Sequence, residues 1–275
     1  LAIVETTKGA DHRDVVPSLN NLALVELRTA AYADALSHFE RALTVQTTAF
    51  GEAHPKVATV ISNIGVVRQL IDEYEEAVAL HERALAIRED ALGPEHPDVG
   101  MSLANLGIVH YMMGHDDEAK PLLERAVAIK TRAQGPDHPD TAEALVNLAH
   151  VVQRQGDHDA AQSMFARALP IFERTLGSEH PDLSHPLVGL ARVAIHRGRA
   201  AEAVALAERA LSLREHTDGP PADLAAARVV LARALTLHGA HSVRAETLAE
   251  QACAPVRPTD VALPPYLAEC ESFAR

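Results

Sequence analysis

The sequence has no tryptophan, and aromatic residues make up only 3% of its 275 positions. Strands favour aromatic and β-branched side chains, so a β-rich core is disfavoured from the outset. Cysteine occurs twice, at Cys253 and Cys270. Two thiols suit neither a disulfide-stapled scaffold nor a four-ligand zinc site, and a reducing, cytoplasmic setting is the expectation. Cys253 lacks a C-x-x-C partner and is expected to pack as a small apolar residue. No apolar run approaches 18 residues, which argues against a membrane helix. The opening residues Leu1 to Glu5 carry no basic stretch ahead of an apolar one, so no secretory leader is read there. No cluster of Lys and Arg interrupts a chain with 25 basic and 38 acidic residues and a net charge of −13. A nucleic-acid partner is therefore not expected. Glycine-rich phosphate loops and nucleophile elbows are also missing, so the expectation is a non-enzyme without cofactors.

What the chain does have is alanine, at 50 positions, within a composition that is 47% apolar and 23% charged. That balance is typical of a folded protein. Alanine is the strongest helix former, and the expected class is all-α.

The chain also repeats itself. His-Pro occurs at residues 54–55, 96–97, 138–139 and 180–181, always 42 apart. The same step joins Gly9, Gly51, Gly93, Gly135, Gly177 and Gly219. It joins Ala35, Ala77, Ala119, Ala161, Ala203 and Ala245, and likewise Ala42, Ala84, Ala126, Ala168, Ala210 and Ala252. A fixed period of 20–50 residues marks a repeat architecture. Within one copy, Val99, Leu103, Leu106 and Val109 form the apolar stripe of a first helix. Gly114 stops it, and Ala119, Leu122, Leu123, Ala126 and Ile129 line a second. Small residues recur at Ala23, Gly65, Gly107, Ala149 and Ala191, where two helices are expected to approach closely; Arg233 breaks the column. Pro170 falls inside a second helix and is expected to kink it, whereas Pro121 lies near a helix start.

The motifs Asn105-Leu-Gly, Gly114, Ala119 and Ala126 resemble the tetratricopeptide repeat. The 42-residue period and the run from Ala91 through His96-Pro97-Asp98-Val99 to Gly107 resemble its kinesin-light-chain-like subtype. The resemblance covers residues 1–253 and implies a right-handed superhelical solenoid of about six helix pairs. Repeat linkers are expected near 9–13, 51–55, 93–97, 135–139, 177–181 and 219–222. The sixth copy lacks His-Pro and reads as a terminal cap. Residues 254–275 read as a proline-rich tail with a short closing helix carrying Leu267, Cys270 and Phe273. Leu1-Ala2-Ile3 aligns with the end of a second helix, so the chain is expected to be part of a longer protein.

The periodic histidines sit in separate linkers and cannot converge on one ion, so they are read as turn and cap residues, not metal ligands. Glu40, Glu82, Glu124, Glu208 and Glu250 share one polar face. The column with functional promise is Asn21, Asn63, Asn105 and Asn147, replaced by Gly189 and Leu231 in the last two copies. In the family resembled, this asparagine faces the inner groove and grips an extended peptide. An amide offers donor and acceptor together, which suits a peptide group of any sequence. The alternative is that the column ties neighbouring repeats together. Along the same helices, Val66, Leu70, Ile108, Tyr111 and Met112 are expected to form an apolar centre. His150, Arg154, Arg192 and His196, with His185, are expected to form a cationic stretch that meets an acidic segment of the ligand. The expected role is a protein- or peptide-binding scaffold with no nucleic-acid or membrane partner. Such arrays also resemble the C-terminal regions of STAND/NB-ARC-type signalling ATPases and transcription regulators, and that resemblance implies the alternative of a sensor or autoinhibitory arm contacting other domains of the same parent; the alanine-, arginine- and aspartate-rich, lysine-poor composition suggests a GC-rich bacterial source.

Overall fold

The computed structural model describes residues 1–215, 217, 221–239, 243–253 and 270. Among them are thirteen α-helices and no strand, in line with the all-α expectation. The first six are α1 (Ala2–Lys8), α2 (Val16–Arg28), α3 (Tyr32–Phe50), α4 (Pro55–Leu70), α5 (Tyr74–Leu92) and α6 (Pro97–Met112). Then come α7 (Asp116–Gln134), α8 (Pro139–Arg154), α9 (His158–Leu176), α10 (Ser184–His196), α11 (Ala200–Arg214), α12 (Pro221–Leu237) and α13 (Val243–Cys253). Short 3-10 turns at Arg13–Val15 and Pro181–Leu183 lead into α2 and α10. First helices of 16 residues (α4, α6, α8) alternate with second helices of 19 (α5, α7, α9). The chain forms two compact units, Leu1–His110 and Tyr111–Arg275. The linker expected near 219–222 and the closing helix expected over 265–274 fall largely outside the described residues.

Five first helices, α2, α4, α6, α8 and α10, are entered by the same device. The N–H groups of Asp14, Lys56, Asp98, Asp140 and Asp182 donate to Nδ1 of His12, His54, His96, His138 and His180 at 3.1–3.2 Å. The ring nitrogen thus takes the place of the usual Asp or Ser oxygen at a helix N-cap. It also fixes the tautomer, because Nδ1 accepts only when the proton is on Nε2. Pro55, Pro97 and Pro139 follow at the first helical position, where no N–H is needed. At the other end of each second helix, Gly51, Gly93, Gly135 and Gly177 adopt φ of +82° to +94°, a region that disfavours any side chain. The linkers are held from outside by arginine. Arg41, Arg167 and Arg209, one column in the repeat, donate to the carbonyls of Ala10, Pro136 and Ser178, each 31 residues earlier.

Inside, the alanine columns are where helices touch. Ala35, Ala42, Ala77, Ala84, Ala119, Ala126, Ala161, Ala168, Ala203 and Ala210 are all fully buried. In the first unit, Leu19 and Ala23 of α2, Phe39 and Ala42 of α3, and Val60, Ile64 and Val67 of α4 form one cluster. Pro170 does not break α9, which runs from His158 to Leu176 through it; α7 likewise contains Pro121. Cys253 and Cys270 are joined as a disulfide with a Cα–Cα distance of 5.8 Å, which corrects the expectation of a thiol packed in the core. Both half-cystines lie against Ala225 and Val229 of α12 and Ala252 of α13.

One core position is polar. His81 on α5 is fully buried, and neither ring nitrogen has a hydrogen-bond partner. Phe39, Leu123 and Phe165 occupy the same column in other copies. A Cβ on Gly65 would lie 2.8 Å from His81 Cε1, so the imidazole fills the space that glycine leaves. Burial, reinforced by Arg88, pushes the His81 pKa from 6.5 down to about 4. The unfolded chain therefore takes up a proton near pH 6.5 that the folded chain refuses until about pH 4. Stability falls as pH drops through that window.

Three outcomes are expected. His138→Ala should cost about 1 kcal/mol in denaturant unfolding, while His138→Asn retains most of the cap. Gly65→Ala should cost roughly 1–3 kcal/mol by overpacking; that cost should shrink in the background of His81→Ala, as a double-mutant cycle will show. His81→Leu should flatten the acid dependence of stability between pH 6.5 and 4 by up to roughly 3 kcal/mol, at about 1.4 kcal/mol per pH unit. An unchanged slope would mean that His81 titrates normally.

Candidate functional site

Among the described residues, polar side chains on the first helices line clefts that lie within one unit each. In the first unit a cleft of about 770 Å³ opens between α2, α3 and α4. Asn21 of α2 and Asn63 of α4 both line it, one repeat apart, with Leu24 between them and Arg13, Asp14 and Lys56 at its edge. The Lys56 ammonium lies 4.7 Å from the Phe50 ring centroid, a cation–π contact. Two further amides face the same cleft. Asn20 Oδ1 and Gln46 Oε1 are buried and accept no hydrogen bond. Leaving such an acceptor unsatisfied costs about 1–3 kcal/mol, so a donor entering here gains more than it would at an open surface.

The asparagine column divides in its roles. Asn105 Nδ2 donates to Ser62 Oγ at 3.1 Å, a bond from α6 to α4 that ties adjacent copies together. The column ends at Gly189 for a steric reason: a Cβ there would fall 2.3 Å from the Phe165 ring. Gly189 O instead accepts from Gln153 Nε2 at 2.8 Å. Leu231, next in the series, is wholly core.

In the second unit, Asn147 and His150 line a cleft of about 500 Å³ that also holds four carboxylates, Asp140, Glu143, Asp182 and Asp223, beside the apolar Val146, Phe172 and Leu176. Arg214, buried beneath them, donates through Nε to Ser184 Oγ at 2.7 Å and lies 3.2 Å from Asp223 Oδ2. Its Nη2 is 2.9 Å from His185 Nε2, which is therefore the accepting nitrogen of a neutral ring. Burial lowers the His185 pKa; Asp223 opposes that shift and Arg214 adds to it. His185, expected among the cationic residues, is thus an uncharged member of an acidic wall.

The expected cationic residues do meet, on the other side of His150. A cleft of about 240 Å³ is lined by Tyr111, His150, Arg154, Arg192 and His196, together with His158 and Arg233. Arg154 is already engaged: its Nε donates to both oxygens of Asp116 at 2.6 and 2.9 Å, and Nη2 donates to Tyr111 O at 2.6 Å. Its guanidinium carbon lies over the Tyr111 ring, 3.9 Å from the centroid. His150 stacks against Tyr111 and meets the edge of Phe165 at 4.9 Å. Burial first, then Arg192, His185 and Arg154, hold its pKa well below 6.5, so His150 is neutral. His158 stacks on His196 with ring centroids 3.7 Å apart.

Val66, Leu70 and Ile108 in the first unit, and Met112 in the second, line none of these clefts. Asn20 and Gln46 were not singled out from the sequence, and Arg233 was noted only as the break in the small-residue column. Asn20 and Gln46 leave a readable trace, because Ser62 and Arg88 stand one period later and are both hydrogen-bonded. Among the described residues no group of three or more His, Cys, Asp or Glu is arranged to hold a metal ion, and no helix is long and apolar enough to cross a membrane.

Comparison with known proteins agrees with the helix-pair architecture. The family model described as tetratricopeptide repeat matches residues 14–90, 56–132, 117–174 and 140–216. A putative kinesin light chain of Podosopora anserina with nearly identical TPR-like repeats is 30% identical, with a TM-score of 0.56, over 72% of this chain and 94% of that one. BtubC (BKLC) from P. vanneervenii is 21% identical, with a TM-score of 0.61, over 82% and 89%. The Rap conjugation gene regulator of plasmid pLS20, solved with the Phr* peptide, is 19% identical, with a TM-score of 0.65, over 82% and 60%. A search among curated proteins found no match. With matches running from residue 14 to residue 216 and a kinesin-light-chain-like relative at 30% identity, the chain belongs to the tetratricopeptide repeat family.

Proposed function

We propose that the chain is a peptide-recognition scaffold whose first-unit cleft holds an extended segment by its backbone. The observation that carries this is the pairing of two repeat-related amides, Asn21 and Asn63, with two buried acceptors that lack donors, Asn20 Oδ1 and Gln46 Oε1. Backbone N–H groups of a bound strand supply such donors, and the asparagine amides answer both polar groups of a peptide bond. The cleft volume of about 770 Å³ lies within the usual range for ligand sites. That the Rap regulator, similar in fold, is solved with a peptide supports the reading.

The cleft of Tyr111, Arg192, His196 and Arg233, beside the Arg154–Asp116 pair, is the seat we assign to acidic side chains of such a ligand. Guanidinium groups match the two oxygens of a carboxylate. The acidic wall beside Asn147 is a poor place for the same charges.

The test begins with peptides selected from a random library on the immobilised chain. Asn21→Ala with Asn63→Ala should weaken binding by about 1 kcal/mol or more for each lost amide, with helicity unchanged. Asn105→Ala should instead lower stability through the lost Ser62 bond and leave affinity nearly intact. If Asn21 and Asn63 prove dispensable for binding per folded molecule, the backbone-clamp reading is withdrawn.

A further inference from the structure

The last second helix departs from the others in length and in one residue. α13 has 11 residues, where α3, α5, α7 and α9 have 19 and α11 has 15. Cys253 closes it at a position that Leu43, Leu85, Val127, Leu169 and Leu211 hold in the earlier copies. The helices α3, α7, α9 and α11 are each packed by the first helix that follows, α4, α8, α10 and α12. Among the described residues no helix follows α13. The Cys253–Cys270 cystine packs instead against Ala225 and Val229 of α12 and Ala252 of α13. The same three positions in the second copy, Val57, Ile61 and Ala84, pack with Ile87 of α5. A covalent bond thus closes the cluster that an aliphatic side chain closes there.

The bond carries weight because the apolar contact within this pair is modest. Apart from Val229, Val230, Leu231 and Leu248, every buried apolar residue of α12 and α13 is an alanine. Alanine removes less apolar surface from water than any of those four. A terminal repeat also has a neighbour on one side only. The cystine joins residues 17 apart, and a cross-link of that span takes conformational freedom mainly from the opened state. Both half-cystines are half-buried rather than enclosed. The chain has two cysteines and both are in this bond, so a thiol reagent acts on it alone. The pair matters beyond itself, since α12 supplies walls to both second-unit clefts. Asp223 lines the one with Asn147, and Arg233 lines the one with His196. Asp223 Oδ2 lies 3.2 Å from the buried Arg214 and 3.8 Å from His185 Nε2. Loosening α12 removes these walls.

We propose that the Cys253–Cys270 bond is a redox latch on the terminal helix pair, through which a dithiol reductant controls the second-unit clefts. Thiolate attack on one sulfur forms a mixed disulfide, and the second thiol of the reductant then displaces it. The protein gains two electrons and two protons, its S–S bond becomes two thiols, and the reductant leaves as its own disulfide. Residue 270 is then no longer tied to α13, and α12 and α13 open more readily than the repeats before them. A disulfide oxidant reverses the step. What the clefts bind rests on the reading of the chain as a peptide-binding scaffold. The latch is measured without any ligand, so the two fail separately.

The experiment follows backbone hydrogen exchange of the full chain before and after dithiothreitol under native conditions, with free thiols counted in each sample. The count should rise from zero to two. Amides of α12 and α13 should then exchange at least about tenfold faster, while those of α4 and α8 keep their rates. The ring resonances of His185, which faces Asp223, should shift on reduction and return on reoxidation. Cys270→Ala leaves α12 and α13 unaltered in sequence; it should exchange like the reduced chain from the outset and ignore the dithiol. The reduced wild-type chain makes the same comparison without any substitution. Unchanged exchange in α12 and α13 overturns the proposal, as does a bond that resists the dithiol until the whole chain unfolds. Equal acceleration in every helix overturns it too, because the bond would then hold the entire array and not its last pair. Faster exchange in α12 with unmoved His185 resonances overturns the control of the clefts.

Discussion

The close approach of paired helices at alanine and glycine is the constraint on which the rest of the structure depends. Ala23, Ala149 and Ala191 on first helices are fully buried, as are the two alanine columns on second helices. With so little volume there, a larger side chain on the facing helix reaches across: Phe39, His81, Leu123 or Phe165. Where the facing residue is glycine the fit is tighter still, as at Gly65 under His81 and Gly189 under Phe165. The core thus alternates between small and large at fixed places, and a change on one helix is felt on its partner. His81 shows that the place demands shape before chemistry, because a ring with two unsatisfied nitrogens is tolerated where phenyl rings and leucine stand in other copies.

With apolar contact concentrated at those positions, polar side chains are left to join one repeat to the next. Arg88 is fully buried, yet its guanidinium reaches Thr59 of α4 at 3.2 Å and Ser102 of α6 at 2.6 Å. Further along the same column, one and three repeats on, Lys130 lies 3.7 Å from Glu143, and Arg214 bonds Ser184 and faces Asp223. Gln46 opens the same column without a partner, and Phe172 interrupts it. A position that stitches repeats in the middle of the array thus becomes, at Gln46, an acceptor turned toward a cleft. The candidate site arises from the repeat at the point where its internal bonding lapses.

Much of this was legible in one sequence because a repeat compares itself with itself. The period, the alanine columns and the role of linker histidines as caps all follow from residues that recur at 42, and the structure bears out each of them. That His150, Arg154, Arg192 and His196 line one cleft was also readable from helical periodicity, whereas their charge was not: His150 is neutral and Arg154 is paired with Asp116. Contacts between repeats were not. Asp116 with Arg154 and Asp159 with Arg197 both join residues 38 apart, an offset that helical periodicity within one helix does not reveal. Without that offset Arg154 looks like an open cation, when its charge is already matched. The disulfide was missed for another reason. The count of two cysteines in a long chain argues against bridges on average, and it says nothing about two residues separated by 17 that return to within 5.8 Å.

The charge pattern bears on how a scaffold with a net charge of −13 can attract an acidic ligand at all. At long range the protein repels it, but in physiological salt the screening length is about 8 Å, so distant carboxylates matter little beside those lining a cleft. Local arrangement then decides, and within the second unit it differs sharply on the two sides of His150. One side presents Asp140, Glu143, Asp182 and Asp223; the other presents guanidinium and imidazole groups. Because His150 is half-buried and neutral, it separates the two without adding charge to either. On the reading proposed above, an acidic segment has one favourable seat bounded by an unfavourable one, an arrangement that selects position more firmly than a uniformly basic surface could. Such a boundary uses repulsion to select register, as specific interfaces commonly do.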